Sequence, residues 1–577
     1  MNYANNAALR LRLEAWRARL MILLLMAAFV SLAGRALYLQ SYKTDFLQQK
    51  GEARYGRVIK LLPNRGMVVD RNGEPLAIST PVESILASAD ELEITPQQLR
   101  DLAKLLNMSA GEIRAKLKGE DRNTVHLKPQ VPPELAAKVM ELRIPGIYQE
   151  QEFRRYYPAG EVTAHLVGFT GRDNNGQEGL ELAYQDWLTG KPGSRRVIRN
   201  RLGQIIEDVG SGRAPQQGKD LTLSIDAKLQ YLAYRELKAA VDANKAKGGA
   251  LVAIDALTGE VLALVNQPDF NPNNRGNVTG AKTRNRTVTD TFEPGSTLKP
   301  FTIAVGLESG KYHPDTLIET AAGQLSIGPA TIRDAHPDGN LTLAQVIQKS
   351  SNVGAAKVAL SLPAESMWKM FNGIGFGQQP KTGFPGEATG KLRPYKTWRP
   401  IEQATMSYGH GISVSLLQLA RAYTIFANGG ELRDLSFVKN SVPGPVRPVI
   451  SAETARAVRA MLELVTQPGG TAPRAAVPGY RVAGKTGTAH KQEGKGYSSS
   501  RYVASFVGLA PASNPRLIIA VMIDEPAGGA YYGGTVAAPV FSAVMGGSLR
   551  MLGVPMDSPL RDAALPLATI PEIKEES

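Results

Sequence analysis

The chain of 577 residues is long enough for several domains, and its 43% hydrophobic and 21% charged residues are ordinary for a globular protein. A net charge of +14 suits anionic lipid, an acidic wall polymer or nucleic acid, but no nucleic-acid-binding motif is present, so we expect no nucleic-acid partner. The lack of cysteine excludes disulfides and thiol nucleophiles, and the six histidines show no metal-binding spacing. We therefore expect neither a metal nor another cofactor.

An apolar segment near the N-terminus follows a basic one. Residues 20–39 are mostly apolar and contain one charge, Arg35, and four arginines precede them at positions 10, 12, 17 and 19. This arrangement predicts a cytoplasmic basic tail over residues 1–19 and a transmembrane anchor over residues 20–39. Arg35 would snorkel to the interface or contact a partner helix. A signal-peptidase site at residues 31–33 is the alternative, and both interpretations export the rest of the chain.

The next segment, residues 40–220, has mixed helical and strand patterns and no catalytic motif. Residues 67–69 have strand character and residues 96–106 have helical periodicity, so we expect a non-catalytic α+β domain. Charged or turn-forming clusters stand out in it, at 65–73, 154–158 and 176–181. Salt-bridged scaffolding is the simplest explanation of all three.

A second domain is predicted over residues 221–560, with residues 561–577 as a C-terminal tail. Residues 221–226 alternate as in a strand and lead into a helix whose apolar positions share one face, at Leu229, Leu232, Ala233 and Leu237. Further elements are a hairpin at 249–255 and 261–265, strands at 505–510 and 517–523, and helices at 342–349 and 415–427. These elements predict an α/β domain with a largely antiparallel sheet.

A serine stands three residues before a lysine in the segment FEPGSTLKP, residues 292–300. On a helix these side chains share a face, so the Ser296 hydroxyl and the Lys299 amine can meet. Lys299 must be neutral to accept the hydroxyl proton, and burial and the cation of Lys485 would both lower its pKa. The tetrad alone is weak evidence, because a capped, solvated helix start explains it more simply.

Two further motifs follow downstream: Ser-x-Asn within residues 349–352 and Lys-Thr-Gly within residues 484–488. Together with Ser-x-x-Lys they resemble the active site shared by penicillin-binding proteins and serine β-lactamases. The resemblance implies that Ser350 relays a proton to the departing amine. It also implies that Asn352 holds Lys299 and the substrate backbone in place.

Residues 480–491, around the third motif, predict an extended strand that can bind a peptide by β-addition. Gly487 would let the substrate backbone approach, and Lys485 with the hydroxyls of Thr486 and Thr488 would bind a carboxylate. Backbone N–H groups of Ser296 and Thr488 would form an oxyanion hole. The site would therefore favour peptides that end in a free carboxylate.

Two other motif matches stand in the wrong context. Residues 381–383 also spell Lys-Thr-Gly, but they lie between two prolines in a loop-like stretch. Residues 479–486 spell the pattern of a phosphate-binding loop, but a polar, glycine-containing stretch follows them where a helix should open. Neither match is expected to be functional.

The resemblance extends from the anchor to about residue 550, since the clusters of residues 40–220 are similar to the pedestal of class B penicillin-binding proteins. FEPGS and the segment YGHGISV, residues 408–414, are similar to the division-specific members, the septal peptidoglycan transpeptidases. His410 stands where the family pattern carries tyrosine, which leaves β-lactam preference open. The resemblance also implies an aromatic wall around the substrate, although ordinary packing accounts for such tyrosines too. Its members would be Tyr408, Tyr502, Tyr531 and Tyr532.

The resemblance implies a D,D-transpeptidase anchored in the bacterial inner membrane, with a periplasmic catalytic domain at the division septum. Ser296 would attack a stem peptide ending in D-Ala-D-Ala, expel D-alanine and pass the acyl group to an amine of a neighbouring stem. β-Lactams would acylate the same serine. Expected partners are a septal membrane glycosyltransferase and other division proteins. The alternatives are a membrane-anchored β-lactamase and a division scaffold with a vestigial site.

Overall fold

The computed structural model describes most of the chain, in segments that have short gaps between them. The described segments are residues 14–44, 46, 56–88, 90–118, 124–199, 205–208, 212–276, 278–440, 442–494 and 496–559. Arginines 10 and 12 of the predicted basic tail and the whole predicted C-terminal tail lie outside these segments. The domain boundaries at residues 19, 39, 220 and 560 stay predictions.

The first of two compact units begins with a long apolar helix. This helix, Ala15–Leu37, continues as a π-helical turn over Tyr38–Tyr42. In the part of the chain that the structure describes, Ala15–Tyr42 is the one helix long and apolar enough to cross a membrane, with a mean hydropathy of 2.2 over an 18-residue window. The predicted anchor, residues 20–39, lies inside it. The unit comprises Met1–Pro63, Pro81–Glu152 and Lys191–Gln216.

The rest of the first unit packs its helices around a small apolar core. Helix Pro96–Leu106 has the bounds that the sequence predicts, because Thr95 and Gln98 form a reciprocal capping box at its start. Leu102 and Leu106 of this helix are fully buried. The other helices are Ala110–Leu117 and Pro133–Glu141, and the strands are Gly56–Leu61, Thr124–Val131, Gly193–Arg199 and Ile205–Asp208. Strands Pro75–Ser88 and Ile147–Tyr156 carry the chain from one unit to the other.

The second unit takes in parts of the segment that the sequence assigns to the non-catalytic domain. It comprises Asn64–Thr80, Phe153–Gly190 and Gln217–Ser577. A buried carboxylate joins the first two of these parts, because Glu181 accepts hydrogen bonds at 2.6 Å from Nε of both Arg65 and Arg155. These ion pairs confirm the scaffolding predicted for the charged clusters.

The central sheet of the second unit has five antiparallel strands and confirms the predicted sheet. In spatial order they are Val261–Gln267, Gly248–Asp255, Leu517–Asp524, Gly496–Ala510 and Ala483–Glu493. Every described residue of the first three strands is buried, as helices on both faces require. Ala483–Glu493, which we call the substrate strand, ends the sheet.

Two predictions about secondary structure are wrong in detail. The strand expected over residues 221–226 covers only Leu221–Thr222 and pairs in parallel with Val68–Val69, outside the central sheet. After Thr222 the chain pairs with another segment, since Leu223 forms a bridge with Val438 and the backbone of Ser224 donates to the carbonyl oxygen of Phe437. Asp226 then caps the next helix, Ala227–Ala243, by accepting from the backbone of Lys228 and Leu229. The helix expected over 415–427 is two helices, separated by Tyr423.

The remaining helices pack around the sheet and surround the motifs. They are Lys299–Glu308, Leu343–Gln348, Asn352–Leu360, Ala364–Gly373, Pro400–Met406, Leu416–Ala422, Thr424–Ala427, Ala452–Thr466 and Ala538–Met551, with shorter helices at Ala164–Val167, Gly179–Ala183, Gln185–Thr189, Gly280–Thr283, Arg286–Thr289 and Gly533–Val536. Short strand pairs join Thr291–Phe292 to Val414–Ser415, Leu317–Ile318 to Leu341–Thr342, Gln324–Ile327 to Ala330–Arg333, Glu431–Arg433 to Val446–Pro448 and Phe169–Thr170 to Gly176–Glu178.

Candidate active site

The serine of the first motif lies in a 3₁₀ turn, Gly295–Leu298, and the α-helix begins only at Lys299. In a 3₁₀ turn side chains three residues apart eclipse each other, which brings Lys299 Nζ to 2.9 Å from Ser296 Oγ. Both side chains are buried, Lys299 completely. The predicted pair therefore meets, although through a tighter turn than the expected α-helix.

Ser350 of the second motif lies between two lysines. Its hydroxyl oxygen is 3.0 Å from Lys299 Nζ and 2.9 Å from Lys485 Nζ, and Lys299 also donates to its carbonyl oxygen. The backbone of Ser350 has φ of +62°, a conformation that costs a non-glycine residue about 1–2 kcal/mol. Backbone strain of this kind persists only where the surroundings impose it.

Asn352 begins the helix that follows Ser350. Its amide donates to the carbonyl oxygen of Arg333 at 3.1 Å. Ser351 caps this helix and donates to Asp334, which also accepts from the backbone of Val353 at 2.9 Å. Asp334 thus fixes the loop that carries the second motif, while the predicted contact of Asn352 with Lys299 stays a prediction.

The third motif lies in the middle of the substrate strand. Lys485 is fully buried, and its Nζ is 3.1 Å from Thr486 Oγ1. A Cβ atom on Gly487 would lie 2.5 Å from Ser505 Oγ and 2.9 Å from the carbonyl oxygen of Pro294. The protein's own packing therefore requires glycine at 487, and the predicted approach of a substrate backbone stays a prediction. Thr488 Oγ1 accepts from the backbone N–H of Gly533 at 3.1 Å.

Three of the four candidate wall tyrosines form one stack. The ring centroids of Tyr502 and Tyr531 are 4.2 Å apart and those of Tyr531 and Tyr532 are 4.3 Å apart, while His490 lies 4.5 Å from Tyr502. Tyr408 is buried elsewhere, with its ring 5.1 Å from His410. The structure therefore brings together three of the predicted tyrosines and places the fourth in a separate cluster.

His410 lies between Tyr408 and Tyr497, whose ring is 5.8 Å away. Burial lowers the pKa of His410 to about 4. The imidazole is therefore neutral at physiological pH. Next to it, the Tyr497 hydroxyl donates to Glu293 at 3.1 Å.

Neither of the two rejected motif matches has the structure that its alternative function requires. Residues 381–383 form an irregular loop, in which the backbone N–H groups of Lys381 and Thr382 donate to Glu387. Residues 483–486 of the other match belong to the substrate strand, and no helix begins there, so the phosphate-binding loop is excluded.

Sequence reasoning missed several supporting residues. Thr471 Oγ1 lies 2.9 Å from Thr486 Oγ1, and Asp334 holds the loop of the second motif, but both are distant in sequence from the residues they contact. Glu293 lies next to the first motif in the sequence, but its residue type and position alone indicate no function. Among the described residues no cluster of three metal-ligating side chains occurs.

Comparison with known families agrees with this geometry. A family model described as penicillin binding protein transpeptidase domain matches residues 249–546, and one described as penicillin-binding protein dimerisation domain matches residues 60–223. The chain therefore belongs to the penicillin-binding protein transpeptidase family. The family and fold expected from the three motifs are confirmed, and so is the enzyme class, a transpeptidase.

Individual relatives align over nearly the whole chain. The chain is 44% identical to the probable peptidoglycan D,D-transpeptidase PenA of Neisseria gonorrhoeae, over 94% of each chain. It is 41% identical to the peptidoglycan D,D-transpeptidase FtsI of Escherichia coli K12, over 94% of this chain and 93% of the relative. A solved apo structure of the TP domain of Burkholderia pseudomallei penicillin-binding protein 3 is 53% identical, with a TM-score of 0.55, and covers 58% of this chain and 98% of that one. The N-terminal apolar helix fits a membrane-anchored member of this group.

Proposed function

We propose that this protein is a peptidoglycan D,D-transpeptidase that cross-links stem peptides at the division septum, with Ser296 as its nucleophile. One observation carries the proposal. A chain of hydrogen bonds joins Ser296 Oγ, Lys299 Nζ, Ser350 Oγ and Lys485 Nζ, and successive atoms lie 2.9, 3.0 and 2.9 Å apart. Such a hydrogen-bond chain can move a proton between a nucleophile and a leaving group without histidine.

In the acylation step Ser296 attacks the penultimate carbonyl of a stem peptide ending in D-Ala-D-Ala. Lys299 takes the hydroxyl proton, for which it must be neutral, and its complete burial disfavours the ammonium form. Backbone N–H groups of Ser296 and Thr488 stabilise the tetrahedral oxyanion. The C–N bond then breaks, and Ser350 passes the proton to the departing amine of D-alanine.

The third motif supplies recognition of the donor. Lys485 and the hydroxyls of Thr486 and Thr488 bind the terminal carboxylate of the stem peptide, which the peptide loses with D-alanine. The edge of the substrate strand pairs with the peptide backbone. Asn352 holds the substrate backbone, and the stack of Tyr502, Tyr531 and Tyr532 borders the bound peptide.

Attack by an amine of a second stem peptide then forms the cross-link and releases Ser296. A β-lactam enters the same pathway and stops at the acyl-enzyme, which makes it an inhibitor. Alignment with D,D-transpeptidases over 94% of the chain supports transfer rather than β-lactam hydrolysis. The unbroken hydrogen-bond chain from Ser296 to Lys485 argues against a vestigial site.

Septal location and division partners are also part of the proposal. The apolar helix Ala15–Tyr42 anchors the protein in the inner membrane, with the catalytic unit in the periplasm. Arg35 of this helix contacts a septal membrane glycosyltransferase. Replacement of Arg35 by leucine should weaken co-purification of the glycosyltransferase, and an unchanged complex would contradict this contact.

The transfer reaction can be tested directly on the full-length protein in detergent. A synthetic pentapeptide ending in D-Ala-D-Ala is supplied together with an isotopically labelled D-amino acid as acceptor. The proposal predicts release of D-alanine and a labelled pentapeptide, in which the labelled D-amino acid replaces the terminal D-alanine, and Ser296→Ala should abolish both. A protein that consumes benzylpenicillin continuously is a β-lactamase, and one that reacts with neither compound is a scaffold.

A further inference from the structure

A second cleft, of about 490 Å³, lies beside the candidate active site. Glu293 of the nucleophile segment lines it, together with residues 489–492 of the substrate strand and the loop residues Lys391 and Arg393. None of the roles proposed above uses this cleft. Its charged lining distinguishes it from an ordinary packing defect.

The cleft adjoins the reacting serine. Ala489 lines the cleft and directly follows Thr488, and a Cβ atom on Gly295 would lie 3.6 Å from Ala489 Cβ. Gly295 itself precedes Ser296. A group bound in the cleft would therefore lie next to the turn that presents the nucleophile.

Glu293 has an unusual hydrogen-bond pattern for a buried carboxylate. One oxygen, Oε1, accepts from the backbone of Gly411 at 2.9 Å, from Tyr497 at 3.1 Å and from Gln492 at 3.3 Å. The other oxygen, Oε2, is buried and has no partner in the described part of the chain, although the side chain is only 8% exposed. A buried oxygen without a partner is costly, so Oε2 indicates a place for a hydrogen-bond donor from a ligand.

The positively charged side chains of the cleft differ in whether they already form ion pairs. Arg393 pairs with Glu402 at 2.8 Å, and Lys491 pairs with Asp524 and Glu525 at 2.7 Å each. Lys391 is exposed and forms no ion pair within the part of the chain that the structure describes. Lys391 is thus the cation that remains for an anionic group of a ligand.

A buried carboxyl group with an unpartnered oxygen and one uncommitted cation match a ligand that carries both an amine and a carboxylate. The proposed donor peptide does not need Glu293 or Lys391, because the third motif already binds its terminal carboxylate. The second substrate of the reaction does need a site, and it must bring an amine to the acyl-enzyme.

We propose that this cleft binds the acceptor of the transfer reaction, an amine on a carbon that also carries a free carboxylate. Glu293 Oε2 accepts from the acceptor nitrogen, and Lys391 binds the acceptor carboxylate. This inference rests on the proposed transpeptidase function, and it assigns the amine partner that the three motifs leave undefined.

The test measures how the acyl-enzyme divides between transfer and hydrolysis. Full-length protein in detergent is acylated with a thioester of N-benzoyl-D-alanine and thioglycolate. It is then offered D-alanine or D-alaninamide, which has a primary amine but no carboxylate. Chromatography gives the ratio of amide product to hydrolysed product for each acceptor.

The wild-type protein should prefer D-alanine to D-alaninamide. Lys391→Gln should lower the ratio for D-alanine about tenfold and remove the preference, the loss expected when one charged contact disappears. Glu293→Gln should lower the ratio for both acceptors. Lys396→Gln, an exposed lysine of the same loop region, is the matched control and should behave as wild type.

The outcomes distinguish a failure of the proposed transpeptidase function from a failure of the proposed acceptor cleft. A wild-type protein that benzylpenicillin does not acylate overturns the proposed function itself. An acylated wild type that treats both acceptors alike, or variants whose ratios equal those of the control, overturn the acceptor cleft and leave the proposed function standing. If Glu293→Gln is not acylated, the comparison of Lys391→Gln with Lys396→Gln decides.

Discussion

Gly409 packs directly against Gly295, the residue before the nucleophile. A Cβ atom on Gly409 would lie 2.3 Å from the carbonyl oxygen and 2.5 Å from the amide nitrogen of Gly295. Both glycines have positive φ, +92° and +56°. The position of the turn that carries Ser296 therefore depends on the absence of a side chain at 409.

Replacement of Gly409 by alanine should displace this turn. We expect the rate of acylation by benzylpenicillin to fall at least about tenfold and the stability to fall by about 1–3 kcal/mol. Gly310→Ala is the control, since Gly310 has φ of +68° but no atom within 4 Å of an added Cβ. It should destabilise through backbone strain alone and acylate normally. Normal acylation by Gly409→Ala would contradict the proposed packing role.

Ser350 combines a proposed proton relay with a strained backbone, and two substitutions separate these properties. Ser350→Ala and Ser350→Gly both remove the hydroxyl between Lys299 and Lys485, so both should lower the acylation rate by about 10²–10⁴. Glycine relieves the strain at φ of +62°, so that variant should be more stable than the alanine variant by about 1 kcal/mol. Rapid-mixing acylation and thermal unfolding measure the two effects. Acylation at the wild-type rate in both variants would exclude the relay.

The buried Glu181 neutralises two buried arginines, and its removal should be costly. Glu181→Gln leaves Arg65 and Arg155 without their anion and should destabilise the protein by about 3–5 kcal/mol. Urea unfolding of the full-length protein in detergent measures the change. Glu236→Gln removes a carboxylate paired with the exposed Arg235 and should cost less than about 1 kcal/mol. Equal effects of the two substitutions would refute the structural role of Glu181.

His165 should make stability depend on pH. Burial lowers its pKa from 6.5 to about 4, and the ring nitrogen Nε2 lies 2.8 Å from the carbonyl oxygen of Lys282. The unfolded chain binds this proton near pH 6.5 and the folded protein only near pH 4. The contribution of the neutral ring is therefore complete above pH 6.5 and is lost as pH falls toward 4.

The corresponding experiment compares thermal midpoints between pH 7 and pH 4.5. The wild-type midpoint should fall with pH, and His165→Gln, which cannot gain this proton, should fall less steeply. His313→Gln, at an exposed position, should keep the wild-type slope. Identical slopes for all three proteins would exclude His165 as a source of the pH dependence.

The sequence predicted the elements whose patterns are local. The buried strands of the central sheet, the apolar face of helix Ala227–Ala243 and the capped helix Pro96–Leu106 all followed from periodicity and capping signals. The three motifs pointed to one site because their residue types and order match a known family. Their mutual distances then came from the structure.

Long-range contacts could not be predicted from local pattern. The grouping of residues 153–190 with the catalytic unit depends on packing between distant segments, and so does the contact of Gly409 with Gly295. The early end of the strand at Thr222 follows from the pairing of Leu223 and Ser224 with the distant residues 437–438. The unpartnered oxygen of Glu293 likewise becomes visible only when every neighbouring donor is placed.

The assignment of Ser296 as the nucleophile is tested by an intact-mass time course of the full-length protein with benzylpenicillin, beside Ser296→Ala. We expect one adduct per wild-type chain that persists for many minutes and no adduct on the folded mutant. An adduct of equal stoichiometry on Ser296→Ala would contradict the assignment of the nucleophile. A short-lived adduct with continuous consumption of the drug would contradict the transpeptidase function.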